Sequence, residues 1–350
     1  LINTLQENNL MKLSIIIPVF NEINYIEELT NELKNIFINE NVEYIFINDG
    51  SNDGSEKWLE NYIKKQPEEN NKFVNLTKNT GKGNAIHQGL KISTGDHILF
   101  QDSDLELDTK DSFEMYQIIK KDKMINCVFG SRYLTGKLKS NKNYFNEFVG
   151  RINSFIFNIL FFQSLSDVHC GSKIISREVI KKTNLTIKDF GFEIDLASQI
   201  AKNNFDIFEY GVSYYARSFK EGKKITWIDG LKTYYYLFKT RFVDNDLSTQ
   251  FSILFSSAYM MYIGSHFSMG LGNLLMILIT CITGLFIGLK RKAASSSLIY
   301  LFCFIGSLFS KGNGKIYTVV LGFIIGLYLS KKISILIGKT TKNRFIRFFV

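Results

Sequence analysis

Two short apolar runs, each closed by a polar turn, constrain this chain more than any other feature. Leu13 to Ile17 is apolar save for Ser14 and is closed by Pro18; Tyr44 to Ile47 is closed by Asn48, Asp49 and Gly50. A strand with apolar residues on both faces must be covered on both faces, the situation of a parallel sheet flanked by helices. Between the runs, Glu22 to Phe37 carries Ile26, Leu29, Leu33 and Ile36 at helical spacing, so the chain opens with a strand–helix–strand unit. The pattern continues through Val74 to Leu76, a helix from about Asn84 to Ile92, and a strand Ile98 to Gln101 that ends on Asp102. The expected fold class is α/β with a mostly parallel central sheet. Such sheets bind ligands beyond the carboxyl ends of their strands, where Asn48 to Ser51 and Asp102 to Asp104 both fall.

The mean hydropathy of zero averages two unlike parts, a mixed and charged stretch to about Asp246 and a strongly apolar one beyond it. Four segments past that boundary are candidates to enter a membrane: Phe251 to Phe267, Leu271 to Leu289, Ser295 to Phe309 and Ile316 to Leu329. Only the second approaches the ~20 residues of a perpendicular span, so two to four spans are open. Lys290, Arg291 and Lys292 after the second segment, and Lys331 and Lys332 after the fourth, place those ends on the cytoplasmic side. Phe145 to Phe162 and Ile225 to Phe242 are too polar to span and too apolar for ordinary surface helices, and read as interfacial helices, with plain core helices as the alternative. The expected division is residues 11–224 for a catalytic domain, 225–246 for an interfacial amphipathic helix, 247–338 for the membrane region and 339–350 for a basic cytoplasmic tail. Leu1 to Leu10 is polar and carries no signal-peptide pattern.

A net charge of +9 suits nucleic acid, an anionic membrane or a phosphorylated substrate. The apolar segments favour the last two, and the aromatic residues sit mostly in apolar runs, so no nucleic-acid partner is expected. Cys127, Cys170, Cys281 and Cys303 have no Cys-x-x-Cys spacing and the four histidines are scattered, which signals neither a disulfide framework nor a zinc cluster.

Asp102-Ser103-Asp104 sets two carboxylates one residue apart at a strand end, with Glu106 and Asp108 nearby. Hard oxygens of this kind suit Mg²⁺ or Mn²⁺ shared with substrate phosphates; a lone Asp-x-Asp is more often a solvated turn. Asn48-Asp49-Gly50-Ser51 offers a carboxylate, a permissive glycine and a hydroxyl, as nucleotide recognition needs, and is by itself an ordinary turn. Gly81-Lys82-Gly83-Asn84 brings a cation and free amides to a helix start, where a diphosphate can sit. It lacks the full phosphate-loop pattern, so ATP hydrolysis fits poorly.

In this order the elements resemble the nucleotide-sugar domain of inverting glycosyltransferases of the GT-A fold, in the dolichol-phosphate mannose synthase-like branch. Ile16 to Glu22, Asn48 to Ser51, Gly81 to Gly83 and Asp102 to Leu105 look like its successive loops. Gly130-Ser131-Arg132-Tyr133, Ser166 to Gly171 with Lys173 and Arg177, Gly191-Phe192-Glu193, and Tyr215-Ala216-Arg217 with Glu221 to Ile225 also follow it. The resemblance covers roughly Lys12 to Phe242. It implies that Pro18, Phe20, Glu22 and Asp49 surround the nucleoside, with Ser51 and Lys82 completing the donor site. Asp102 and Asp104, with Glu106, would hold Mg²⁺ or Mn²⁺ on the diphosphate. Arg132 and Arg217, joined by Arg151 and Lys224, would grip an acceptor phosphate. Two positions depart from the pattern, Asn48 for a frequent Asp and Glu106 for a frequent Gln.

A phosphate monoester, with a second pKa of about 6, needs no general base at neutral pH. Rate would come from in-line positioning, metal neutralisation of the leaving diphosphate and arginines aiming the attacking oxygen. Asp104, Arg132 and Arg217 are therefore the expected catalytic residues. Glu193 joins them, although at a helix start a capping role competes. The expected activity is transfer of a hexose from a UDP- or GDP-sugar to a polyprenyl phosphate at the cytoplasmic face, by an integral membrane protein of open oligomeric state. The rival is addition of one sugar to a lipid-linked glycan. Neither Trp58 nor Trp227 follows an Arg, against the Gln-x-x-Arg-Trp signature of processive synthases.

Overall fold

The computed structural model describes residues 11–66, 70–134, 136–140, 144–217, 227–264 and 271–290, with 321, 322, 324 and 325. The chain divides into two compact units, one up to Leu237 and one from Phe238.

The first unit is built on a seven-stranded sheet: β1 (Leu13–Val19), β2 (Val42–Asp49), β3 (Asn71–Leu76), β4 (His97–Phe100), β5 (Cys127–Ser131), β7 (Lys173–Ser176) and β8 (Phe208–Gly211), in the order β3-β2-β1-β4-β7-β5-β8. β1 pairs in parallel with β2 and β4, whereas β7 runs antiparallel between β4 and β5. The sheet is thus mixed, mostly parallel with one reversed strand. Its helices are α1 (Ile26–Ile36), α2 (Ser55–Lys65), α3 (Lys82–Ile92), α4 (Thr109–Lys121), α5 (Tyr144–Phe161), α6 (Arg177–Lys182), α7 (Phe192–Lys202) and α8 (Trp227–Phe238).

Strand periodicity splits the core in two. Leu13, Ile15, Ile17, Val19, Tyr44 and Phe46 face one layer with Leu29, Leu33 and Tyr116. Ile16, Ile45 and Ile47 face the other with Ala85, Ile86, Phe157 and Phe192. Each fully buried side chain of this size contributes roughly 1.5–3 kcal/mol, and that burial holds α3 down on β1. Gly89 permits the closest approach, since a Cβ there would meet the Ile16 side chain at 2.6 Å. A small second sheet, β6 (Lys139–Ser140) with β9 (Tyr214–Tyr215), continues the path of β4: Tyr215 N donates to Glu106 O at 2.8 Å. This pairing brings residues 214–217 beside the loop that follows β4.

α8 lies within the stretch expected to form an interfacial helix. Leu237 is buried in the first unit and Tyr236 donates to Asp189 at 2.7 Å, so the compact unit runs past the expected boundary at 224.

In the second unit, α9 (Leu247–Gly264) and α10 (Leu271–Lys290) pack backbone to backbone. A Cβ on Gly284 would meet Ser256 O at 2.6 Å, and Gly288 lies against the Ile253 backbone. Polarity is inverted in this pair: Ser252, Ser256 and Thr280 are buried while Phe251, Leu254, Leu275 and Leu278 are exposed. Among the described residues no helix is long and apolar enough to cross a membrane. The expected segment Ser295 to Phe309, nearly all of Ile316 to Leu329, and the tail 339–350 lie outside the described residues.

Candidate active site

The carboxyl ends of β1, β2 and β4 are laced together by side chains. Asn21, at φ 55°, donates its backbone N–H to Ser51 Oγ at 3.0 Å, and its own Oδ1 accepts from Asn52 N at 2.8 Å. Ser103 Oγ donates to Pro18 O at 2.9 Å. Pro18 and Phe20 remain half-buried at the rim. Ser51 therefore braces the loop after β1. Asp49 does similar work for the third loop, accepting from Thr80 N and Oγ1 at 2.8 Å and from Gly81 N at 2.9 Å.

That loop is locked from its other side as well. Gly81 has φ 98°, and a Cβ on Gly81 or Gly83 would meet a main-chain oxygen of Lys188 or Ile187 at 2.6 Å. Asn84 N donates to Lys188 O at 2.8 Å. The result aims Lys82 Nζ at two carboxylates, Asp102 Oδ1 and Glu193 Oε1, both at 2.6 Å. Burial by itself would lower the Lys82 pKa, but the two carboxylates outweigh it and hold the ammonium charged. The Glu193 carboxylate is engaged by Lys82. Asp195 ties the start of α7 down instead, accepting from Thr186 N at 2.8 Å and Ile187 N at 3.1 Å.

Asp102 stands against Gly171, where any Cβ would collide with Oδ2. Asp104 takes a hydrogen bond from Arg217 Nη2 at 2.9 Å, and the same guanidinium donates to Glu22 at 2.8 Å through Nη1 and approaches Glu106 at 3.7 Å. Burial pushes the Asp104 carboxyl up to about 7, with Asp102 and Glu106 adding to the rise and Arg217 opposing it. This crowd of hard oxygens fits a divalent cation that completes its shell with substrate phosphates. Among the described residues no group of three metal-ligating side chains is already gathered. Glu106 turns instead to Arg217, whose backbone N–H it accepts at 2.9 Å. Asp102 and Asp104 are the pair that fits.

Arg132 and Arg151 belong to a neighbouring cluster. Arg132 donates to Asp167 through Nε at 2.7 Å and Nη2 at 2.9 Å and lies near the Tyr133 and Tyr214 rings, 5.5 and 5.2 Å from their centres. Arg151, 54 % exposed, sits 4.5 Å from the Tyr133 ring centre and Lys139 sits 4.9 Å from it. Glu147 pairs with both, at 2.9 and 2.7 Å. Tyr214 links the two clusters, lying beside Arg132 and hydrogen-bonding Glu106. Lys224 lies outside the described residues. Sequence reasoning gave no role to Asp167, Tyr133, Lys139 or Gly171. Lys139 carries no signal, while Tyr133, Asp167 and Gly171 fall in stretches flagged only by resemblance.

α5, which carries Arg151, turns Phe157 and Phe161 into the core and leaves a stripe of Tyr144, Phe148, Phe155, Ile159 and Phe162 exposed, Tyr144 at 83 % and Phe155 at 64 %. Arg151 lies on that stripe, between Phe148 and Phe155.

Residues 14–183 match the model of "Glycosyl transferase family 2". Over 217 residues the chain is 29 % identical to the dolichyl-phosphate beta-glucosyltransferase of Dictyostelium discoideum, covering 58 % of this chain and 66 % of that protein. It is 26 % identical to the dolichol-phosphate mannosyltransferase of Pyrococcus furiosus over 61 % of each. The chain thus spans no more than two thirds of the length of these curated relatives. Among solved structures, glucosyl-3-phosphoglycerate synthase from Mycobacterium tuberculosis, crystallised with Mn²⁺, uridine diphosphate and phosphoglyceric acid, superposes with a TM-score of 0.52 at 17 % identity, covering 68 % of this chain and 81 % of that one. Residues 14–183 thus carry a glycosyl transferase family 2 domain, and the mixed sheet they help to build has the GT-A fold.

Proposed function

We propose that the protein transfers a hexose from a nucleoside diphosphate sugar to a polyprenyl phosphate at a membrane surface. One observation carries the acceptor: Arg151, which with Arg132 and Lys139 surrounds Tyr133, interrupts an exposed apolar stripe on α5. A charged phosphate beside a long hydrocarbon is the ligand whose two halves match those two surfaces. The inverted polarity of α9 and α10, with hydroxyls inside and Phe and Leu outside, supports membrane residence, and the Lys290-Arg291-Lys292 run supports a cytoplasmic catalytic unit.

Glucose is the first sugar to test, because dolichyl-phosphate beta-glucosyltransferases recur among the relatives; the Pyrococcus mannosyltransferase makes mannose the second. Asp102 and Asp104 would hold Mg²⁺ or Mn²⁺, which when bound neutralises the charge of the leaving diphosphate. Pro18, Phe20 and Glu22 line the donor end, with Asp49 and Ser51 holding its loops in shape. Arg217 spans from Glu22 to Asp104 and is the cation best placed to meet both donor and acceptor phosphates. Arg132, fixed by Asp167, serves through its exposed edge.

The test is transfer of radiolabelled sugar from UDP- and GDP-hexoses to undecaprenyl phosphate in membranes, with and without Mn²⁺ or Mg²⁺. A labelled, acid-labile lipid formed only with metal is the expected product. Its absence with every donor, from protein that still binds nucleotide, moves the acceptor to a lipid-linked glycan.

A further inference from the structure

We propose that Lys82 and Arg217 are resident counter-ions of the Asp102 and Asp104 pair, each built to release its aspartate to a divalent cation while keeping a second carboxylate. The inference rests on the metal-dependent reading above and concerns how that site loads.

The two cations are arranged alike. Lys82 bridges Asp102 and Glu193 at 2.6 Å each; Arg217 bridges Asp104 at 2.9 Å and Glu22 at 2.8 Å. One partner of each cation is a member of the Asp-x-Asp pair, and the other comes from a distant element, α7 in one case and the loop after β1 in the other. Stranding a partly buried cation without a partner is costly. Neither cation is stranded when its aspartate turns to a metal, because Glu193 and Glu22 remain in contact. Main chain holds Lys82 in place: the loop before α3 is pinned by Asp49 on one side and by residues 187 and 188 on the other. Glu193 is positioned by α7, whose own start is tied by Asp195.

Charge balance points the same way. Five carboxylates, of Glu22, Asp102, Asp104, Glu106 and Glu193, gather around these two cations. A divalent ion reduces the remaining excess of negative charge, and it does so while releasing one valence of Lys82 and one of Arg217. The freed donors then face the phosphates that arrive with the donor sugar. Metal and diphosphate therefore bind with positive coupling, and the metal alone binds weakly because it must compete with two tethered cations. Glu193 is accordingly a positioning residue acting through Lys82.

The experiment is Mn²⁺ titration of the full chain in detergent, without donor or acceptor, with the free ion followed by electron paramagnetic resonance. Lys82→Met is expected to bind Mn²⁺ about tenfold more tightly than the unmodified protein, and Glu193→Gln about fivefold more weakly. In the Lys82→Met background Glu193→Gln should change affinity by less than about twofold, since its partner is gone. Unchanged or weaker binding in Lys82→Met overturns the inference, and so does an equal loss from Glu193→Gln in both backgrounds, the behaviour of a direct ligand. If Asp104→Ala binds Mn²⁺ like the unmodified protein, the metal site itself is misassigned and the inference falls with it. Should Lys82→Met fail to fold, the other arm applies the same criterion: Glu22→Gln weakens binding in the unmodified background and leaves it unchanged beside Arg217→Met, and a loss in both overturns it.

Discussion

Arg132 and Asp167 form a two-pronged ion pair with the carboxylate fully buried, Nε to Oδ2 at 2.7 Å and Nη2 to Oδ1 at 2.9 Å, closed by a third hydrogen bond from Arg132 N to Oδ2 at 3.0 Å. The guanidinium is thereby fixed in plane before any ligand arrives. Burial would raise the Asp167 pKa, but Arg132 more than offsets it and the carboxyl is lowered to about 2.

Asp167→Ala should cost about 3–5 kcal/mol, the range for removing one partner of a buried pair, read from urea unfolding. The folded-state pKa lies below the unfolded value, so this contribution is complete above pH ~4 and is lost as pH falls toward 2. A loss below about 1 kcal/mol would mean that Arg132 is held by its aromatic neighbours instead.

Gly171→Ala should leave stability within about 1 kcal/mol, because the atom it meets is the end of the Asp102 side chain and can swing. The displaced carboxylate should weaken Mn²⁺ binding by about tenfold or more, measured with and without nucleotide. Unaltered Mn²⁺ affinity would show that Asp102 is not a ligand.

Asp104→Ala should reduce transfer by at least about a thousandfold while the fold persists, since Arg217 retains Glu22. Circular dichroism and the transfer assay check the two halves. Full activity would remove Asp104 from the metal site.

Phe155→Ser, an exposed change on α5, should leave the unfolding midpoint unchanged and raise the KM for a long polyprenyl phosphate by about fivefold. With a short, water-soluble isoprenoid phosphate the KM should be unaffected. Equal effects on both acceptors would place Phe155 outside the hydrocarbon contact.

His169 accepts from Asn153 Nδ2 at 3.1 Å when its Nε2 is unprotonated, and burial lowers its pKa to about 4 against an ordinary 6.5. The unfolded chain therefore binds a proton there first, so stability should decline as pH drops from about 6.5 to 4, by no more than about 1.4 kcal/mol per unit. His169→Gln should flatten that part of the stability profile, measured by denaturant unfolding at fixed salt. An unchanged slope would assign the acid sensitivity to other groups.

The apolar runs at Leu13 and Tyr44 and the polar turns that close them were legible because burial on both faces of a strand leaves a local signature. β7 was not: Lys173-Ile-Ile-Ser reads the same in either direction, and only its partners make it antiparallel. The aspartates after β4 stood out from their position, whereas the ions that hold them did not. Lys82 and Glu193 meet across 111 residues and Arg217 and Glu22 across 195, pairings that no spacing within one element reveals. Glu106 was grouped with the aspartates because it is two residues from Asp104, yet β9 draws it toward Arg217 and Tyr214. The expected boundary at 224 followed the reading of Ile225 to Phe242 as an interfacial helix; Leu237 and Tyr236 pack on the first unit.

Asp49 spends both oxygens on Thr80 and Gly81, although it stands where a nucleoside contact is expected. A change at this residue is therefore transmitted along the main chain to Lys82, at the proposed phosphate end of the site. In a lineage drifting toward a new nucleotide base, selection cannot retune position 49 alone without also disturbing how the diphosphate is held. Under the proposed function, base preference and phosphate grip are therefore inherited together, and variation in donor preference is to be sought at Pro18 and Phe20 on the rim.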